Sequence, residues 1–479
     1  MEKFRAPLDR DQIMLLPRSI NEYVSMDDPV RYVDAFVDEL NLSAIEGAYS
    51  ELGRPGFSPS VMVKVLLYGK MRGMRSSREL ARAVRENVRF MYIASGEQPD
   101  FRTISLFRKR FSAELSGLLR QTIDVGLREG LITLEHVAVD GTVLRAYAGR
   151  RSFRTVEQLR VLEAALERSF ADDIAADERE DAEHGDDDRN GMLPPELRDR
   201  QRLRDRVKKA LQEQAEVESR SKEKGREIKR ISLTDPQSRF MQSHEGRQPS
   251  YNAQAAVDVK SRMVVGGYAT NAVSDNGELP QLLCDIEANT GANPKTLSAD
   301  RGYSLKAGLA DLKARGIDGF IPQRAEKRGY FTQEDFRYDD VTDTYRCPSD
   351  RVLHFQGEAR IKRKALRRYK CENCSGCPVV KRCMRRGYRR KTLYVSIHSG
   401  LYYEMREKTR SALGRRMARV RASTVEPVFG HLKANRKLRQ FSFRGQAMID
   451  AMWKLELASY NIEKIIRSRM GPSPSGAFA

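Results

Sequence analysis

Five short runs of β-forming residues, strung through the middle of a 479-residue chain, constrain this sequence more than any other feature. They read LEHVAVD (134–140), YNAQAAVD (251–258), SRMVVGGYA (261–269), KTLSAD (295–300) and DGFIPQ (318–323). The second and third have the spacing of a hairpin. Helices are predicted over 277–289 and over SLKAGLADLKARG, which stops at Gly316. The first three strands should form an antiparallel meander, and the fourth should return parallel to the first after a helical crossover. That topology brings the C-terminal ends of strands one and four to the same sheet edge, where Asp140 and Asp300 stand. Asp258 ends the second strand, which runs the other way, so capping a turn is the job expected of it.

A third acid, Glu426, lies in the helical stretch STVEPVFGHLK. Arg419 precedes it by seven residues and Lys433 follows it by seven, which predicts one shared helix face. Alone, Glu426 reads as a surface residue in helical salt bridges. With Asp140 and Asp300 it completes a set of carboxylates from distant segments. Such a set has the chemistry to hold two hard divalent cations, Mg²⁺ or Mn²⁺, on a phosphodiester. The chain's net charge of +20 and pI near 9.7 favour a polyanionic partner, DNA or RNA.

Residues 1–130 read as helices. Ser58-Pro59 suits a helix start and Gly73 a stop; Ser76 and Glu79 have capping-box spacing, and Asp100 can cap FRTISLFRKRF. Short helices and tight turns, with Arg102, Arg108, Lys109 and Arg110 on the last helix, resemble a helix-turn-helix module that touches DNA. The alternative is a helical bundle with a solvated basic face. The segment 150–232 is acidic around Asp172–Asp188 and basic over 198–230. Helical spacing of Leu159, Leu162, Ala165 and Leu166 predicts a charged helical insertion there.

Cysteine usage marks a further segment. Cys371, Cys374, Cys377 and Cys383 follow a C-x2-C-x2-C-x5-C pattern, with Cys347 a hairpin's length upstream. Close-spaced thiolates suit tetrahedral Zn²⁺, which would staple a small basic insertion short of a core of its own. Free thiols and an iron–sulfur cluster remain open readings. The flanks, from Arg360 through Lys362, Arg363, Lys364, Arg367 and Arg368, then Arg385, Arg386, Arg389, Arg390 and Lys391, suit phosphate-backbone contact.

VDGTVLRA, SYNAQAAVD, LSADRGY and VEPVFGHLK, in this order, resemble bacterial insertion-sequence transposases of the DDE class, and most nearly the group numbered eleven eighty-two. GRPGFSP, MRSSRELARAVREN and PDFRTISLFRKRF resemble the helical domain that precedes their catalytic core. The resemblance implies an α/β fold with an RNase H-like mixed-sheet core, and Asp140, Asp300 and Glu426 as the catalytic triad. It implies DNA partners (terminal inverted repeats and target), two-metal cleavage at the element's ends, and joining of the freed 3′-OH to target DNA. A homo-oligomer on DNA is implied too. Lys433 and Arg421 match the basic residues of the Glu helix, whereas Ser250 replaces the family's glycine before YNAQ and Ala418 its tyrosine. The implied domains are 1–130 helical, 131–322 catalytic core with the insertion 150–232, 323–410 basic and Cys-rich, 411–470 closing helices and 471–479 a disordered tail. An RNase H-like nuclease or resolvase without strand transfer, and an inactive DNA-binding regulator, are the alternative functions.

No stretch reaches the roughly 20 apolar residues that span a bilayer, and MEKFRAPLDRDQIMLLPRS has charges where a signal peptide needs an apolar core. A cytoplasmic, nucleoid-associated protein is therefore expected. His136 and His431 read as structural, and Trp453 is expected to pack on the sheet.

Overall fold

The computed structural model describes residues 19–50, 55–184, 195–221, 230–243, 245–323, 330–361, 364–384, 387–396 and 399–471. The sequence-based readings on the N-terminal segment, the middle of the acidic stretch, the tail beyond 471, and Lys362, Arg363, Arg385 and Arg386 lie outside the described residues.

The N-terminal helices form for local reasons. Helix α1 (Pro29–Asp38) is capped by Asp28, whose carboxylate accepts from Val30 N at 3.0 Å. Helix α2 (Pro59–Met71) has proline in its first turn and ends before Gly73, whose φ of +70° suits glycine. The Ser58 hydroxyl does not bond across the start of α2. A reciprocal capping box of Ser76 and Glu79 opens α3 (Ser77–Glu86). Helix α4 (Val88–Ile93) follows, then α5 (Phe101–Arg110), where the Asp100 carboxylate accepts from Thr103 N at 2.7 Å. Helix α6 (Ser112–Arg128) closes the set.

The central sheet is mixed. Strand β1 (His136–Arg145) pairs antiparallel with β3 (Gly246–Asp258) and parallel with β5 (Thr296–Ala299). Strand β2 (Arg239–Ser243) flanks β3, and β6 (Asp318–Phe320) runs parallel to β5 at the far edge. After β3 the chain turns back through β4 (Val264–Gly266) to pair with it again. Between β1 and β2 stand two long helices, α7 (Val156–His184) and α8 (Pro195–Ser221). Helix α9 (Leu279–Thr290) is the crossover into β5, and α10 (Lys306–Ala314) leads to β6.

Residues 337–396 build a separate antiparallel sheet of five strands, β7 (Arg337–Asp339), β8 (Thr344–Arg346), β9 (Val352–Ile361), β10 (Lys364–Cys371) and β11 (Thr392–Ser396). This sheet has an apolar core, built around Phe336, Tyr345, Leu353, Tyr369, Leu393 and Val395. The sequence suggested a segment without one. Three helices finish the chain: α11 (Ser399–Arg410), α12 (Ala412–Gly430) and α13 (Gln446–Met470).

Helix α13 is the keystone, since nearly its whole length is buried between the N-terminal helices and the sheet. Trp453 on it is fully buried and donates Nε1–H to the Gln254 carbonyl of β3 at 2.9 Å, as its expected packing requires. One apolar cluster runs from Val24 on the N-terminal side to Ile466. The helical segment is therefore not a free-standing module; it shares a core with the sheet.

That shared interface also buries charge. Glu456 accepts from Lys70 at 2.8 Å and from Arg75 at 3.1 Å, and Glu463 receives Arg436 at 2.5 Å. Burial alone would raise the Glu456 carboxyl, but Arg75, Lys70 and Arg436 hold it down at about 2. Isolated buried charges are prohibitive, so these residues exist there only as a set.

Candidate active site

The parallel pairing of β1 and β5 fixes two of the three acids. Val139 is in register with Ala299, so the next residues, Asp140 and Asp300, come side by side. Strand β1 does not stop at Asp140, as the sequence suggested. It continues to Arg145 because β3 keeps pairing with it as far as Ser250. Asp300 ends β5 and caps the following turn, accepting from Gly302 N at 2.7 Å. Asp258 lies at the opposite edge, where its buried carboxylate accepts from the backbone N–H groups of Leu134 and Ser261. Its expected capping role is the one it has.

Helix α12 packs across β1, β3 and β5 and brings Arg421 and Glu426 over the aspartates. Arg421 donates to Asp140 Oδ2 at 2.5 Å and to Glu426 Oε1 at 3.4 Å. Glu426 is 61% exposed at its side chain, whereas Asp140 and Arg421 are largely buried. Burial pushes the Asp140 carboxyl up to about 6, with the Asp300 charge adding to the rise and Arg421 opposing it. Asp300 is likewise raised, by burial first and by neighbouring Asp275. Two crowded carboxylates with a single guanidinium between them and a third form a hard-oxygen donor set deficient in positive charge, which suits a divalent cation. Among the described residues, no group of three or more His, Cys, Asp or Glu side chains is arranged to hold a metal as it stands. At the acids the reason is visible: Glu426 turns to Arg421.

Asp275, in the loop before α9, escaped sequence reasoning. Its Oδ1 accepts from Asn252 at 2.8 Å and from Gln254 at 2.7 Å, both on β3, and Gln254 in turn accepts from the buried Tyr303 hydroxyl. A Cβ on Gly141 would meet Asp275 Oδ1 at 2.3 Å, so only glycine fits behind Asp140. Asp275 also flanks Asp300: a Cβ on Gly302 would meet Asp300 Oδ1 at 2.8 Å and Asp275 Oδ2 at 3.2 Å. A signal was present in the sequence. Asn252 and Gln254 alternate within an otherwise apolar strand, and buried amides require partners.

The basic residues divide. Arg102, Lys109 and Arg110 are exposed on α5, and Arg419 is exposed on α12. Arg108 is not available as a DNA contact. It is 5% exposed, stacks on Phe443, and donates to the Arg75 carbonyl and the Ser77 hydroxyl; burial lowers its guanidinium to about 10. Lys433 does not follow α12 at helical phase, because His431–Asn435 form a π-helical turn that rotates it. Lys433 is half-buried, with Arg439 and Glu245 as its charged neighbours, and its amine is lowered by burial. His136 bonds the Ser298 hydroxyl at 2.8 Å and His431 approaches Glu463 at 3.3 Å, structural roles for both.

Cys347, Cys371, Cys374, Cys377 and Cys383 line one small cavity in the second sheet. Backbone N–H groups of Arg351 and Lys391 donate to the sulfurs of Cys347 and Cys374, each at 3.3 Å. Burial raises the Cys371 thiol to about 12, while the Ser349 hydroxyl helps lower Cys377 against burial.

Two family models match the chain. Residues 18–110 match Transposase domain (DUF772), and residues 346–466 match Transposase DDE domain. The second match holds Glu426, Arg419, Arg421, Lys433 and all five clustered cysteines; Asp140 and Asp300 lie before it. No curated protein and no solved structure matches. The two matches support an insertion-sequence transposase of the DDE class, without singling out an insertion-sequence group. Such families act on DNA. No helix among the described residues is long and apolar enough to cross a membrane.

Proposed function

We propose that this chain is an active transposase on an RNase H-like core, with Asp140, Asp300 and Glu426 as its catalytic acids. It binds the terminal inverted repeats of its element, cleaves at the ends, and joins the freed 3′-OH to target DNA. The observation that carries this reading is the lateral pairing of Asp140 with Asp300, with Glu426 reaching the same place through Arg421. The three carboxylates would hold two Mg²⁺ or Mn²⁺ ions, which when bound activate the attacking hydroxyl and stabilise the leaving 3′ oxygen. Arg421 neutralises Asp140 and Glu426 in the meantime. Released from them, its guanidinium is placed to grip the phosphate. Asp275, Asn252, Gln254 and Tyr303 form a hydrogen-bonded cluster behind Gly141 and beside Asp300. Arg102, Lys109, Arg110 and Arg419 add backbone affinity, and pairing of two ends calls for a homo-oligomer on DNA. The protein acts at the nucleoid.

We propose that the cysteine cavity takes a structural Zn²⁺, supported by the five cysteines that line it and by N–H donors that favour thiolate.

Inverted repeats flanking the gene supply the substrate for the test. Purified chain with Mg²⁺ or Mn²⁺ should nick labelled ends and join them to target DNA. Asp300→Ala should bind the ends as before and cut none. Metal-dependent cutting by Asp300→Ala would sink the assignment. Cutting without joining by the unmodified chain would make it a nuclease.

A further inference from the structure

An open groove of ≈ 770 Å³ lies between the N-terminal helices and the sheet, away from the acids. On one side is the solvent face of α5, bearing Phe101, Arg102 and Leu106, with Arg78 of α3 beside it. On the other are Tyr147 and the Gln440–Phe443 loop. Helix α5 spends its other face on the core, through Ile104 and Phe107. Its groove side, otherwise polar, carries exposed apolar groups: Phe101 is 36% exposed, Leu106 64% and, opposite, Tyr147 52%. Guanidinium groups cover the rings. Arg78 lies 4.8 Å and Arg102 5.7 Å from the Phe101 centroid, and Arg444 lies 5.0 Å from that of Tyr147.

We propose that this groove captures an unpaired nucleotide of the DNA strand about five steps from the scissile phosphate, stacking its base on Tyr147 and Phe101. This rests on the DNA substrate proposed above. Exposed aromatic rings beside arginines match single-stranded nucleic acid, because the ring takes any base face and the guanidinium takes the phosphate. The volume falls within the ~300–1,000 Å³ of small-molecule sites, room for one or two nucleotides. The position fits as well. Tyr147 is the second residue after β1, the strand that carries Asp140. From Asp140 to Arg145 the strand advances about 17 Å, at ~3.4 Å per residue, or about five base-pair steps. The groove wall is fixed to that strand: Phe441 N donates to the Arg145 carbonyl at 2.9 Å and Gln440 Nε2 to the Ala146 carbonyl at 3.0 Å.

Fluorescence anisotropy of the full chain with an oligothymidylate and with a mixed-sequence duplex tests this. Tyr147→Ala and Phe101→Ala should each weaken oligothymidylate binding about tenfold while changing duplex binding less than about twofold. Tyr147→Phe, which keeps the ring, should bind like the unmodified chain. Equal losses on both probes, or no loss on the oligothymidylate, would overturn the groove and leave the DNA reading intact. An unmodified chain that binds neither probe at low salt would overturn both.

Discussion

Arg421 donates to Asp140 at 2.5 Å although 281 residues separate them, and it reaches Glu426 five positions along its own helix. A guanidinium thus holds the ground that a metal ion would contest. On the proposed function, a metal ion would have to displace that guanidinium from Asp140 and Glu426.

Removing the guanidinium should therefore separate metal binding from turnover. Arg421→Ala should bind Mn²⁺ about tenfold more tightly, read as a thermal-shift titration, because one charge-assisted hydrogen bond of roughly 1.5 kcal/mol no longer competes. End cleavage should fall at the same time. Weaker Mn²⁺ binding by this variant would mean that Arg421 organises the acids and does not compete for them.

The glycine behind Asp140 gives a packing test. Gly141→Ala drives a methyl group into Asp275 and Gln254, whose side chains are tied to each other and to Asn252. Overpacking of this kind costs about 1–3 kcal/mol. Denaturant unfolding should show that loss, and Asp275→Ala in the same chain should recover part of it. Additive losses in the double variant would separate the two residues.

Acid stability should depend on Glu456. Its folded value of about 2 lies below its ordinary 4.5, so its contribution is complete above 4.5 and is lost as pH falls from there through about 2. Glu456→Gln leaves Lys70 buried without its carboxylate and should cost roughly 3–5 kcal/mol at neutral pH. The variant should also show a flatter acid limb between those two values. Trp453, the single tryptophan, lies on the same helix and reports unfolding by fluorescence.

Metal analysis of freshly purified protein should find stoichiometric zinc, lost in Cys371→Ser together with part of the thermal stability. Iron with visible absorbance, or a metal-free chain of equal stability, would retire the zinc proposal.

Much of this was legible beforehand because it is local or topological. Capping residues at Ser76 and Asp100 compete for nearby N–H groups whatever the rest of the chain does. Strand order set the relation between Asp140 and Asp300, since a right-handed crossover leaves one parallel arrangement. Arg108 was misread because the other basic residues of its helix, Arg102, Lys109 and Arg110, are exposed while its own position turns inward onto Phe443. Lys433 lies on a π-helical turn, which a seven-residue spacing does not anticipate. Asp275 has no motif, and its partners lie about twenty residues away on β3.

By itself, then, the sequence determined the helices and their caps, the mixed sheet, and two aspartates on one edge, all of which follow from short-range backbone preferences and chain topology. Only the tertiary structure decided that Arg421 sits between Asp140 and Glu426, that Asp275 stands behind Gly141, and that Lys70, Arg75 and Arg436 share buried acids with α13. Charges far apart in sequence are paired by the desolvation they suffer together, and that cost exists only once the core has closed.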